Sequence, residues 1–168
     1  MSLSMYQASV PVFIRTLGQL SAILDKAAAY AEAKKINPQV LIQARLAPDM
    51  LPLSFQIQTA TDTAKGCAAR LAGIEMPSYA DTEASFPELK ARIAKTVTFL
   101  QGVSAAQIDS SEERNIVLKM GSREARFLGQ AYLLTFALPN FYFHVTTAYA
   151  ILRHNGVDIG KQDFLGNL

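Results

Sequence analysis

Residues 138–156, Leu-Pro-Asn-Phe-Tyr-Phe-His-Val-Thr-Thr-Ala-Tyr-Ala-Ile-Leu-Arg-His-Asn-Gly, constrain the fold more than any other stretch. They are apolar nearly all the way round a helix, and such a helix has to sit at the centre of a protein or at an interface. The stretch also holds both histidines and stops at Gly156, which suits a left-handed helix cap. At 100° per residue, Asn140, His144, Ala148, Ile151 and Asn155 share one face. His154 lies ten residues beyond His144, ~15 Å along the axis and ~80° round it, so the two cannot ligate one metal from this helix. His154 beside Arg153 reads as a helix-end residue facing the dipole. His144 reads either as a core histidine hydrogen-bonded to a neighbouring helix or as a pocket residue, a ligand contact or proton acceptor. Tyr142 and Tyr149 fall on a flank away from it and are expected to pack against neighbours.

A central helix needs others to cover it, and the chain supplies them. From Ser4 to Lys35, Val10, Phe13, Ile14, Leu17, Leu20, Ile23 and Leu24 recur three and four apart, with Pro11 near the start and Asn37-Pro38 past the end. Residues 38–47 read as a short connector closed by Pro48. Asp49 is placed to cap a second helix from Met50 to Ala72, which stops at Gly73. That helix is oddly polar. Gln58 and Asp62, four apart, share a side that faces either solvent or a pocket between helices. Cys67, flanked by Gly66 and Ala68, reads as a small buried thiol, with a nucleophile as the other reading. A third helix opens on the capping box Ser85-Phe-Pro-Glu88 and buries Leu89, Ile93, Val97 and Leu100, with Lys90, Arg92 and Lys95 on a solvated far side. A second box, Ser104-Ala-Ala-Gln107, starts at most one more turn.

The one β signal is a pair of strands, 115–120 and 123–128, round Gly121-Ser122, a two-residue hairpin loop. Two strands are barely stable alone, so this hairpin should lie on the helices or on a second subunit. Residues 130–137 are helical again, and Pro139 either kinks that helix or begins a new one. The tail after Gly156 is too short for a further element and is expected to lie on the surface, anchored by Ile159, Phe164 and Leu165. The whole chain, 1–168, reads as one domain, large enough to bury roughly two thirds of its unfolded surface.

Composition narrows function mostly by exclusion. Lys and Arg number 16 against 14 Asp and Glu, scattered rather than striped, which leaves a nucleic-acid role without an electrostatic footprint. One cysteine excludes an intramolecular disulfide and fits a reducing compartment, the cytoplasm. No stretch reaches ~18 uninterrupted apolar residues, and the first residues lack the pattern of a signal peptide. Phosphate loops, dinucleotide fingerprints, nucleophile elbows and paired cysteine or zincin motifs are missing.

Three stretches, Ser4-Met-Tyr-Gln-Ala-Ser9, Ala44-Arg-Leu-Ala-Pro-Asp-Met50 and above all residues 138–156, resemble a bacterial family classed as a domain of unknown function. That family is similar to the DinB/YfiT-like superfamily of four-helix bundles, many of them metal-dependent enzymes, including thiol-dependent transferases. The resemblance implies an all-α, antiparallel four-helix bundle with a small β-hairpin between its third and fourth helices. It also implies a metal held by one histidine of the second helix and an H-x-x-x-H pair of the last. His144 matches the first of that pair, Ala148 stands in place of the second, and the second helix offers Gln56 and Gln58 but no histidine. No metal or other cofactor is therefore expected, with Gln58 and His144 a relic of the site. The expectation is a small-molecule pocket between the second and fourth helices near His144, Asn140, Gln58 and Asp62, in a homodimer. The alternatives are a transferase with His144 as general base, or a purely structural or interaction homodimer. No catalytic residue is assigned.

Overall fold

A computed structural model describes residues 3–121 and 123–166. The protein is mostly helical, with one two-stranded antiparallel hairpin. Helix α1, Val10–Lys34, buries Val10, Phe13, Leu17, Leu20, Ile23 and Leu24 along its expected stripe. It starts six residues later than its periodicity implies, because Pro11 sits in the first turn, where a missing N–H costs nothing. Helix α2, Pro38–Ile42, is capped by the Asn37 side chain, which accepts from the Gln39 N–H at 3.0 Å.

Helix α3, Leu53–Ala72, also begins later than expected, and Asp49 does not cap it. Pro52 takes the cap position with extended backbone, and a proline biases the residue before it away from helical geometry, so the helix cannot reach back to Met50. Its end at Gly73, φ +67°, is as expected. Helix α4, Phe86–Gln101, opens on Ser85, whose hydroxyl accepts from the Glu88 N–H at 3.3 Å. The Glu88 carboxylate completes the box one residue early, on the Ala84 N–H. Helix α5, Ala105–Ile108, follows with the second box formed by Ser104 and Gln107.

Strands β1, Asn115–Met120, and β2, Arg123–Leu128, pair in register from Asn115 opposite Leu128 to Met120 opposite Arg123. Gly121 turns with φ +62°; Ser122 of the expected loop lies outside the described residues. Ile116 and Leu118 are buried, so the hairpin does lay one face on the helices.

The last helical run is continuous but not uniform. Helix α6, Gly129–Tyr132, passes through a π-helical turn, Leu133–Ala137, into helix α7, Leu138–His154. Pro139 explains the wide turn. It cannot donate to the carbonyl four residues back, and the Leu138 N–H reaches instead to the Leu133 carbonyl, five back. The chain therefore neither kinks sharply nor restarts.

The tail is not bare surface chain: helix α8, Lys161–Leu165, packs on α1. Ile159 is buried and Phe164 stacks edge-on against Tyr149 at 5.9 Å, but Leu165 is 45% exposed and anchors nothing. Helix α3 packs against both α4 and α7, and α1 against α4. Among the described residues no helix is long and apolar enough to cross a membrane.

Candidate functional site

Helix α3 touches two neighbours, and its polar residues divide between them. Toward α7, Gln56 and His144 meet, with His144 Nδ1 2.8 Å from Gln56 Oε1. The Gln56 amide is oriented by its own nitrogen, which donates to the Leu51 carbonyl at 2.9 Å. Its oxygen must then accept, so Nδ1 of His144 carries the proton and Nε2 keeps its lone pair. The imidazole is half-buried between Phe55 and Phe143, whose ring centroids lie 6.2 and 5.2 Å away. Burial holds its pKa below the usual histidine value, which favours the neutral ring. One turn before it, Asn140 donates to the Thr63 hydroxyl at 2.8 Å, and one turn after it Ala148 is fully buried.

The glutamine beside His144 is thus Gln56, not Gln58. Two residues on a helix are ~200° apart, and α3 can turn only one of them to α7. Gln58 faces α4 instead, donating to Glu83 at 3.0 Å, and Asp62 shares that side. The four residues expected together lie on two seams: His144 and Asn140 on α3–α7, Gln58 and Asp62 on α3–α4.

The α3–α4 seam is built around Arg92, which the periodicity of α4 assigns to solvent. Its side chain is in fact 1% exposed and pairs with Asp62 at 2.8 Å, Asp81 at 2.9 Å and Glu83 at 3.0 Å. Nε donates to the Thr61 hydroxyl at 2.7 Å, leaving the guanidinium saturated. Burial pushes the Glu83 carboxyl up, but hydrogen bonds from Gln58, the backbone and Arg92, with the Arg92 charge, hold it below the ordinary carboxylate range. Tyr79, from the connection between α3 and α4, lays its ring beside this cluster. Lys65 Nζ sits 3.7 Å and Lys95 Nζ 4.2 Å from the ring centroid.

Where α3 passes under the hairpin and α6, the walls part into a cavity of about 350 Å³. Asp62, Lys65 and Arg70 line it from α3, Met76 and Tyr79 from the connection that follows, Leu118 and Lys119 from β1, and Tyr132 and Phe136 from the last helical run. Lys65 is 2% exposed and ion-paired to Asp62 at 2.8 Å. Arg70 donates to the Tyr132 hydroxyl at 3.2 Å, and burial pushes that phenol up to about 12, so it stays protonated. Cys67 faces inward, fully buried, with its thiol pushed far up by burial. It is an inert core group and not a nucleophile.

The sequence reading passed over Arg92, Lys65 and Glu83. A weak signal existed for Arg92: it stands ~60° from Leu89 and ~40° beyond Thr96 on the helical wheel, at the edge of the arc those residues bury. For Glu83, in an irregular connection, no periodic signal exists.

The donor set does not fit the metal centre that the fold's relatives imply. His144 offers Nε2 alone, Gln56 is committed to Nδ1 and to Leu51, and Ala148 has no donor. Among the described residues no cluster of three His, Cys, Asp or Glu side chains is placed to hold an ion.

Fold and seam together mark a DinB-like helical protein. A crystal structure of a DinB family member from Shewanella denitrificans is 42% identical, superposes with a TM-score of 0.88, and is matched over 97% of this chain and 92% of that one. The chain belongs to the family described as a domain of unknown function, DUF1993, whose profile matches residues 5–165. No curated protein matches it.

Proposed function

We propose that this protein is a cytoplasmic small-molecule-binding protein, a single-domain antiparallel four-helix bundle that has lost the metal site of its superfamily and binds its ligand beside α3. The observation that carries the reading is Lys65, a cation 2% exposed in the wall of a 350 Å³ cavity. Desolvating an ammonium group is costly, and a purely structural wall would be filled by apolar side chains. The cavity lies between the second long helix and the start of the last, two turns before His144. Of the four expected site residues, Asp62 lines it. Asn140, bonded to Thr63 of its wall, stands next to it, and Gln58 supports Asp62 through their shared network with Arg92 and Glu83. Amide-shift mapping with benzyl alcohol, benzamidine, benzoate and phenyl phosphate tests this. Perturbations centred on residues 62–79 and 118–136 are expected, and silence from every probe at millimolar concentration would sink the reading.

One observation favours a transferase reading with His144 as general base. The Gln56 carbonyl fixes the imidazole with an unprotonated Nε2, the arrangement a proton acceptor needs. Diethyl pyrocarbonate, which acylates neutral imidazole, should modify His144 more slowly once Gln56→Leu removes the orienting carbonyl; an unchanged rate would remove the support.

For assembly, we infer a homodimer through the face around His144. Leu46, Leu51, Phe55, Tyr142 and Phe143 are exposed there, between 36% and 56% each, with no charged side chain among them.

A further inference from the structure

The charges in the cavity wall do not balance. Lys65 is matched by Asp62, but Asp62 is also shared with the buried Arg92, so its single negative charge is already divided between two cations. Arg70 and Lys119 line the same cavity, and among the described residues neither lies within ion-pair distance of a carboxylate. Arg70 is held in place by the Tyr132 hydroxyl, which accepts its hydrogen bond and so keeps its own proton for another acceptor. Met76, Leu118 and Phe136 line the same cavity and bring an apolar surface with no charge of its own. Two cations and a phenol in one cavity with a thioether, an aliphatic chain and a phenyl ring describe the complement of an amphipathic anion. A volume of about 350 Å³ falls at the small end of the range for organic ligands.

We propose that the cavity binds a small organic anion, its carboxylate or phosphate group meeting Lys119, Arg70 and the Tyr132 hydroxyl while its apolar or aromatic body packs against Met76, Leu118 and Phe136. The proposal rests on the reading of this cavity as the ligand site and adds the class of ligand. Arg70 is the selective element: its planar fork matches a carboxylate or phosphate, and it is already oriented from behind by Tyr132. Lys119, exposed on β1, supplies the second charge.

Calorimetric titration of the intact protein with benzoate, phenyl phosphate, benzamidine, benzyl alcohol and inorganic phosphate separates the outcomes. Either aromatic anion is expected to bind at least tenfold more tightly than benzamidine, benzyl alcohol or inorganic phosphate, and the tighter of the two names the head group. Lys119→Glu, at an exposed strand position, should weaken that anion by roughly tenfold, and Arg70→Gln should weaken it further. Equal or tighter binding of benzamidine or benzyl alcohol would overturn the ligand class while leaving the cavity reading intact. Inorganic phosphate binding as well as phenyl phosphate would remove the apolar half of the proposal. Anion binding unchanged in Lys119→Glu would put the site elsewhere, and no binding by any probe would end both proposals together.

Discussion

Arg92 shows what one residue is asked to do in this fold. Its guanidinium is 1% exposed, and desolvating it is offset only because Asp62, Asp81, Glu83 and the Thr61 hydroxyl meet it together. Replacing it by Met leaves those carboxylates facing one another, with Glu83 the most buried at 13% side-chain exposure. Because Asp62 and Asp81 are 42% and 59% exposed and can rehydrate, the expected loss is about 3 kcal/mol, the low end for a broken buried pair, measured by urea unfolding at neutral pH. The pH dependence has a definite sign. The folded carboxyl of Glu83 lies below its unfolded value, so the stability it contributes is complete above about pH 5 and is lost as pH falls through the folded value. Arg92→Met should flatten this acid limb, and an equally steep limb in the variant would show that Glu83 owes its shift to other partners. At this scale the sequence was only half legible. His144 and Asn140 could be found from helical geometry on one helix, whereas Gln56 over Gln58, and Arg92 as a buried group, depend on which neighbour each face of α3 and α4 meets.

At the scale of elements, legibility follows locality. The hairpin strands have the bounds read from alternation and turn chemistry, because both signals lie within a few residues. Helix starts were less legible where a proline competed with a side-chain cap, as Pro52 does with Asp49. Helix α8 was missed because five residues have little propensity of their own and are held by packing on α1 and by the Lys26–Asp163 ion pair. The junction of β2 and α6 carries a requirement that local signals do not announce. A methyl group at Gly129 would lie 1.9 Å from the Ser111 carbonyl oxygen, and that atom is backbone and cannot swing aside. The Gln130 N–H donates to the Glu112 carbonyl at 3.0 Å beside it, so the two segments are clamped. Gly129→Ala should therefore cost about 3 kcal/mol, the upper end for overpacking. Its amide hydrogen exchange should quicken through β1 and β2 while α1 stays protected. A cost below about 0.5 kcal/mol, the level of an ordinary surface change, would mean that the junction relaxes freely.

Among the described residues, an apolar face around His144 is uncovered, and the physical question is whether its size is what a second copy needs. The five exposed side chains around His144 present on the order of 400 Å² of apolar area, close to the apolar share of the ~800 Å² each partner contributes to a standard interface. Arg45 and Asp49, close in sequence to Leu46 and Leu51, are exposed and have opposite signs, so they add no net like-charge repulsion to a self-association. Phe143 is the most exposed of the five, at 56%, and stands centrally, one residue from His144 and in contact with its ring at 5.2 Å. A central aromatic in such a patch carries a disproportionate part of the binding energy. Light scattering at tens of micromolar should therefore give twice the chain mass for the native protein and the single-chain mass for Phe143→Asp, with no loss of melting temperature beyond that owed to dissociation. Since Phe143 covers one side of the imidazole within the single chain, Phe143→Asp should also hydrate His144 and raise its pKa from its lowered value, which side-chain NMR reads directly. A native protein that scatters as a single chain at high micromolar concentration would leave this face without a partner of its own kind.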